Sequence, residues 1–249
     1  PMISLYSVPV RATVVPGFDK PVSWRSGVSI LNLIAVVATC SAPTLTTPAT
    51  CGWDDDRPNL VVLIVIDQFP AWVLPRVQQH FARRGFRRLM DEGAWFEQAY
   101  FPQAATVTGV GHATIATGGL PAGHGIPGNV WYDRAAEREV YCVEDASVEI
   151  VGGPADKELK VSPRLLTSTT FGDENRIASG FRAKTIAISA KDRSAILLGG
   201  HTGKAFWYSQ KTGLFLSTTY YFPDGKLPKW TADLNATRPA DKYLHQTWS

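Results

Sequence analysis

Residues 59–67 read NLVVLIVID, seven consecutive apolar side chains that close on a carboxylate. A strand covered by helices on both faces reads this way, because every position and not every second one must be apolar. The fold class that follows is α/β, with a mostly parallel sheet flanked by helices. In open sheets of that class, metals and ligands collect beyond the carboxyl ends of the strands, which makes Asp67 a candidate metal ligand. The competing reading is that Asp67 only begins the turn into Gln68, Phe69 and Pro70. A second strand-like run, TIAIS at 185–189, leads into Lys191 and Arg193. Both are then candidates for holding an anion at a strand end, or else a solvated charge pair. At 249 residues, 45% hydrophobic and 19% charged, the chain has the means to bury the core of one large domain and does not read as disordered.

The stretch 104–133, AATVTGVGHATIATGGLPAGHGIPGNVWYD, carries the clearest chemistry. Its Thr-Gly-x-Gly step predicts Thr108 at the N-cap of the helix HATIAT. Unpaired backbone N–H groups and the positive end of the helix favour an anion there, phosphate above all. Most threonines at such positions only cap the helix, and Thr106 is a rival two residues earlier. Asn129, between Gly128 and Val130, is either a turn residue or a further donor to the same anion.

The motifs LVVLIVIDQF, TVTGVGHATIATG, GHGIPGNVWYD, VYCVED and AKDR occur in this order. Together they resemble the bacterial zinc alkaline phosphatases that use threonine as nucleophile, within the superfamily shared with nucleotide pyrophosphatases and phosphodiesterases. The resemblance covers residues 58–249 and implies an alkaline-phosphatase-like sheet that is incomplete at the C-terminus. It implies two Zn2+ in the complete protein, with Asp67 and Thr108 among their ligands, and Thr108 as the residue that becomes phosphorylated. Asn129, Lys191 and Arg193 would hold the non-bridging phosphate oxygens, and His112 and His124 would support the site. The Lys-x-Arg pair marks the monoesterase branch, since a dianionic monoester offers one more charged oxygen for cations to clamp. The implied function is hydrolysis of small phosphate monoesters through a phosphothreonine. Two alternatives are a phosphodiesterase or nucleotide pyrophosphatase on the same fold, and a non-catalytic phosphate-binding fragment. Asp241 and His245 have a metal-type spacing, but the family's zinc motif lies further on, so they read as a decoy and the chain alone as inactive.

The remainder of the chain carries less chemistry. Residues 1–24 hold no periodic pattern and read as an unstructured, non-native upstream stretch. Residues 25–40 read as a secretory signal, with a lipobox-like approach to Cys40. The protein is expected in the periplasm or outside the cell, either freely secreted or anchored in the membrane by a lipid on Cys40. Residues 41–57 form a Ser/Thr/Pro-rich linker. Cys51 and Cys142 are candidates to pair in an oxidising compartment, and no cysteine has metal-type spacing. A net charge of +3 and a pI near 8.8 are mild. The one basic run, at 80–88, predicts an amphipathic helix with a solvated face, so no nucleic-acid partner is expected. An excursion over 131–182 includes a strand at 138–143 and a helix opened by Ser162 and Pro163 and running to Ala178. A hairpin at 204–208 and 214–220 follows.

Overall fold

The computed structural model describes residues 58–96, 99–244 and 246–247, together with the backbone of Ile34–Val36. The expectations for residues 1–24, Cys40, the linker 41–57 with its Cys51, and His245 lie outside the described residues. The chain divides into two compact units, one ending at Phe101 and the other beginning at Pro102.

In the first unit, the apolar run forms β2 (Val62–Ile64), paired antiparallel with β1 (Ile34–Val36) so that Ile34 faces Ile64. This corrects the expected buried parallel strand, since Leu60 and Val61 are 48% and 50% exposed. An apolar run asks for burial but selects neither partner nor direction, and among the described residues no further strand extends this ribbon. Beyond β2 come α1 (Val73–Val77) and α2 (Phe86–Glu92). The basic run at 80–88 therefore does not form one helix. Gly85 sits at φ 76°, so α2 starts after it, with Phe86 stacked on Phe81 at 5.0 Å and Arg88 paired to Glu92 at 2.8 Å.

The second unit opens with α3 (Thr108–Thr117) and α4 (Pro121–His124), followed by the hairpin of β3 (Val130–Asp133) and β4 (Arg138–Tyr141). The remaining elements are β5 (Ile150–Val151), α5 (Phe171–Ala178), β6 (Ile186–Ser189), α6 (Asp192–Gly199), β7 (Lys204–Ser209), β8 (Leu214–Thr218) and α7 (Lys229–Thr237). Four of the strands form one sheet in the order β5-β8-β7-β6, in which β6 and β7 run parallel and the other pairs antiparallel. The α/β class expected from the sequence holds, with a mixed sheet among the described strands. Helix α6 connects the parallel pair and packs on β6, on β7 and on α3. Ile196, Leu197, Ala205, Trp207 and Leu216 are buried together in the core. Residues 131–182, expected as an excursion, contribute Val143, Val161 and Leu166 to that same core.

Ser162 does cap, as expected, by accepting the Arg164 N–H, but the turn it opens is a short 3-10 segment, Pro163–Leu165. The expected continuous helix is instead restarted at Thr170, whose side chain and that of Asp173 cap α5 reciprocally. Asp173 is fully buried and accepts from the Thr170 N–H and hydroxyl, the His201 N–H, and the Thr202 N–H and hydroxyl. One carboxylate thus joins the start of α5 to the turn after α6. Gly200 makes room for it: φ is 65°, and a Cβ would run into Asp173 Oδ2 and Thr170 Oγ1. Burial pushes the Asp173 pKa up, but these hydrogen bonds outweigh it and hold the carboxyl below its ordinary value of 3.8.

A depressed carboxylate pKa stabilises the fold fully above the unfolded value, and this contribution is lost as pH falls through the folded one. We therefore expect Asp173→Asn to lower the unfolding free energy in urea at pH 7, by about 3 kcal/mol if two charge-assisted bonds are weakened. The difference from wild type should shrink as the pH drops below 3.8. A difference that stays constant down to low pH would show that the carboxylate's charge is not what these donors hold.

Candidate active site

Helix α3 begins one residue earlier than the sequence suggests. Val107, extended at φ −68° and ψ 163°, occupies the cap position with no side-chain cap bond, and Thr108 is the first helical residue. Thr108 is buried, 6% exposed, and its carbonyl accepts from His112 Nδ1 at 2.8 Å. A carbonyl only accepts, so Nδ1 of His112 carries the proton. The rival Thr106 lies in the irregular segment before the helix.

An N-terminal helical N–H has no partner within its own helix. Here the Gly109 N–H donates to Asn129 Oδ1 at 2.6 Å, and the Asn129 carbonyl accepts the Cys142 N–H at 2.9 Å. Asn129 is therefore fixed from both ends, between the start of α3 and the hairpin. Its amide orientation follows, since only the oxygen can accept from Gly109; Nδ2 is left as the donor end. The approach is close enough to require glycine. A Cβ at Gly109 would lie 2.9 Å from the Gly128 carbonyl and 3.1 Å from both Asn129 Oδ1 and Cys142 Sγ. His124 braces the far side of α3: its Nδ1 accepts the Ile126 N–H at 3.2 Å, so Nε2 donates to Thr114 Oγ1 at 3.1 Å. Burial lowers its pKa, in keeping with a neutral ring.

Lys191 and Arg193 stand where the sequence put them, just past the end of β6, with Lys191 the cap residue of α6 and Arg193 in its first turn. Arg193 Nη1 donates to the Tyr141 hydroxyl at 3.1 Å, and that hydroxyl donates to Asp192 Oδ1 at 2.7 Å. Burial works against the Arg193 charge, but Tyr141 and Asp192 more than offset it and raise its pKa. Cys142 ties this group to α3. Its thiol is packed against Gly109, yet it also feels the charges of Arg193 and Asp192. Burial pushes that thiol pKa up to about 12, so Cys142 is a buried, protonated, free thiol and not half of a disulfide among the described residues. Sequence reasoning missed Tyr141, Asp192 and Asp173. Tyr141 and Asp192 stand inside the VYCVED and AKDR motifs, but nothing local joins residues 51 positions apart.

Asp67 lies in the first unit, half-buried in a turn whose next residue, Gln68, has φ 58°. Asp241 lies on a short 3-10 turn, Asp241–Tyr243, where it pairs with Arg238 at 2.6 Å. Among the described residues, no three His, Cys, Asp or Glu side chains gather to hold a metal ion. They do not by themselves fit the two zinc ions that the resemblance implies.

The sequence profile of the type I phosphodiesterase / nucleotide pyrophosphatase family matches residues 61–249, and the chain belongs to that family. Among curated relatives, alkaline phosphatase PhoV of Synechococcus elongatus is 46% identical over 194 residues, which make up 78% of this chain and 35% of that protein. The crystal structure of wild-type alkaline phosphatase PafA superposes with a TM-score of 0.70 at 36% identity, over 74% of this chain and 35% of that one. A PafA variant structure gives a TM-score of 0.70 at 34% identity, over 74% of this chain and 36% of that one. In it a threonine is changed to serine, and an asparagine, a lysine and an arginine to alanine. The chain thus spans about a third of the length of these relatives, with the alkaline phosphatase fold over that span.

Gly109→Ala should destabilise the chain by about 1–3 kcal/mol, the ordinary cost of overpacking, because two of its three neighbours are tied to the hairpin backbone. Gly111→Ala is the control: the nearest atom to its Cβ, the Thr106 carbonyl oxygen, is 3.9 Å away. It should be neutral or slightly stabilising in urea unfolding. Equal behaviour of the two variants would show that the approach of Asn129 to α3 is not tight.

Proposed function

We propose that the complete protein hydrolyses phosphate monoesters, with Thr108 as the nucleophile and Asn129, Lys191 and Arg193 as the residues that hold the transferred phosphoryl group. The observation that carries this reading is the coupling of Asn129 to the first turn of α3. It places the Nδ2 donor end of an oriented amide at the same helix N-terminus as the buried Thr108. Supporting it, the four residues substituted in the PafA variant are separated by 21, 62 and 2 positions, as are Thr108, Asn129, Lys191 and Arg193.

The chemistry is two displacements at phosphorus. Thr108 Oγ forms a bond to phosphorus as the ester P–O bond breaks, and the alcohol departs with a proton. Water then attacks the phosphothreonine, releasing inorganic phosphate and restoring the hydroxyl. Charge accumulates on the non-bridging oxygens, which face the positive end of α3 together with the Asn129 amide, Arg193 and Lys191. Because Asn129 and Arg193 are held by hydrogen bonds before substrate arrives, little reorganisation of them is needed at the moment of reaction. The reading includes two zinc ions, with Asp67 and Thr108 as their proposed ligands here; the others must come from beyond the sets assembled among the described residues. The apolar segment within residues 25–40 supports export to the periplasm or beyond, with Cys40 as the site of any lipid anchor.

The family description names phosphodiesterases, which makes diester hydrolysis the second reading. In the complete protein, Lys191→Ala and Arg193→Ala should each cut monoester kcat/KM by roughly tenfold to a hundredfold, the worth of one charge-assisted hydrogen bond. Diester turnover should suffer much less, because a diester has one fewer charged oxygen to lose contact with. Equal losses on the two substrates would favour the diesterase.

The nucleophile is tested separately. Acid quenching of the complete protein during turnover, followed by peptide mass spectrometry, should find phosphate on Thr108. Finding it on Thr106 instead would move the reacting hydroxyl out of the helix and overturn the assignment.

A further inference from the structure

We propose that Tyr141 and Asp192 are positioning residues that aim the Arg193 guanidinium at a phosphate monoester; the proposal rests on the assignment of Arg193 to phosphate above. The phenol has a single proton, and at 2.7 Å it goes to Asp192 Oδ1. Its oxygen then accepts from Arg193 Nη1 at 3.1 Å. The order is therefore guanidinium to phenol to carboxylate, and each group has a fixed donor or acceptor role. Burial and the neighbouring Asp192 both raise the Tyr141 pKa, so the phenol keeps the proton this order requires.

The phenol matters because of what it prevents. Arg193 Nη1 is 4.0 Å from Asp192 Oδ1, an ion pair without a direct hydrogen bond. A bidentate pair with the carboxylate would occupy the planar fork that makes arginine suited to phosphate. With Tyr141 interposed, the hydrogen bond to the phenol engages only Nη1 of the fork. The Nε–H is buried and has no hydrogen-bond partner among the described residues. A buried unpaired donor costs free energy, and an oxygen of a bound phosphoryl group supplies the acceptor it lacks. Asp192 is held in turn, because its Oδ1 also accepts the Arg193 N–H at 2.7 Å in the first turn of α6, where a carboxylate is favoured. Tyr141 comes from the end of β4, so the hairpin that fixes Asn129 also fixes Arg193.

The test uses the complete protein, an aryl phosphate monoester and diester, and inorganic phosphate as competitive inhibitor. Tyr141→Phe keeps the ring and deletes both hydrogen bonds. It should lower monoester kcat/KM roughly tenfold, with a diester loss several-fold smaller and phosphate inhibition weakened alongside the monoester loss. In an Arg193→Ala background the same change should have no further effect, since its target is gone. If Arg193→Ala itself leaves monoester turnover unchanged, the phosphate role of Arg193 fails, and this proposal fails with it. If Arg193→Ala impairs turnover while Tyr141→Phe does not, or if the two losses multiply, the positioning role alone is overturned. Should Tyr141→Phe fold poorly, Asp192→Asn and Asp192→Ala decide instead. Asparagine keeps an acceptor oxygen for the phenol and should recover most of what alanine loses; equal losses would sink the proposal.

Discussion

The Gly109 N–H and Asn129 Oδ1, 2.6 Å apart, are the contact on which the candidate site depends. Helix α3 is not amphipathic: Thr108, Gly109, Val110, Gly111, His112 and Ala113 are buried in succession. Two glycines in its first turn each cost about 1 kcal/mol of helix propensity relative to alanine. Tertiary packing must offset that cost, and Gly109 is what allows it, because the Gly128 carbonyl, Asn129 Oδ1 and the Cys142 thiol come so close that no Cβ would fit there. The same feature that makes α3 a poor isolated helix lets a side chain from another segment lie against its N-terminus.

The unit beginning at Pro102 also depends on buried acceptors that are fully employed. Asp173 binds two segments of backbone, and Asp145 takes bonds from the Ser147 N–H, the Ser147 hydroxyl and the Ser162 hydroxyl at 3.0, 2.6 and 2.6 Å. Burial works against both charges, but in each the hydrogen bonds prevail and the pKa is lowered. Asp145 lies on the irregular stretch after β4, and Asp173, in the first turn of α5, reaches the turn after α6, places where no ladder satisfies the backbone. These carboxylates give the loops a fixed geometry, and that geometry presents the ends of β4 and β6 to one another.

What was legible in the sequence was local. The run at 185–189 became β6, the hairpin became β7 and β8, and Lys191 and Arg193 stand at a strand end as their spacing implied. Errors came where a local signal had more than one tertiary solution. Seven apolar residues at 60–66 gave only a three-residue strand, because periodicity carries no information on partners. Arginines between aromatics looked helical, and Gly85 broke the pattern with a backbone angle that composition does not reveal. The pair Tyr141 and Asp192 was invisible for another reason: a tyrosine before a cysteine and an aspartate after a lysine have no meaning until two turns meet in space.

The one-residue displacement at the start of α3 is the error with most chemical content. A threonine at the cap position spends its oxygen accepting an N–H from the second or third helical residue, and a hydroxyl so engaged is held by the helix. At the first helical position that duty falls elsewhere. The Gly109 N–H goes to Asn129, and the Gly111 N–H goes to the Val107 carbonyl at 3.0 Å. The helix end is thus closed by an asparagine brought from twenty residues away, which leaves the threonine at the positive end of α3 without making it the cap. For the nucleophile proposed above this would be the better arrangement. The groups that create the favourable potential and the group that would change its bonding are different groups, so the potential would survive if the threonine oxygen bonded to phosphorus.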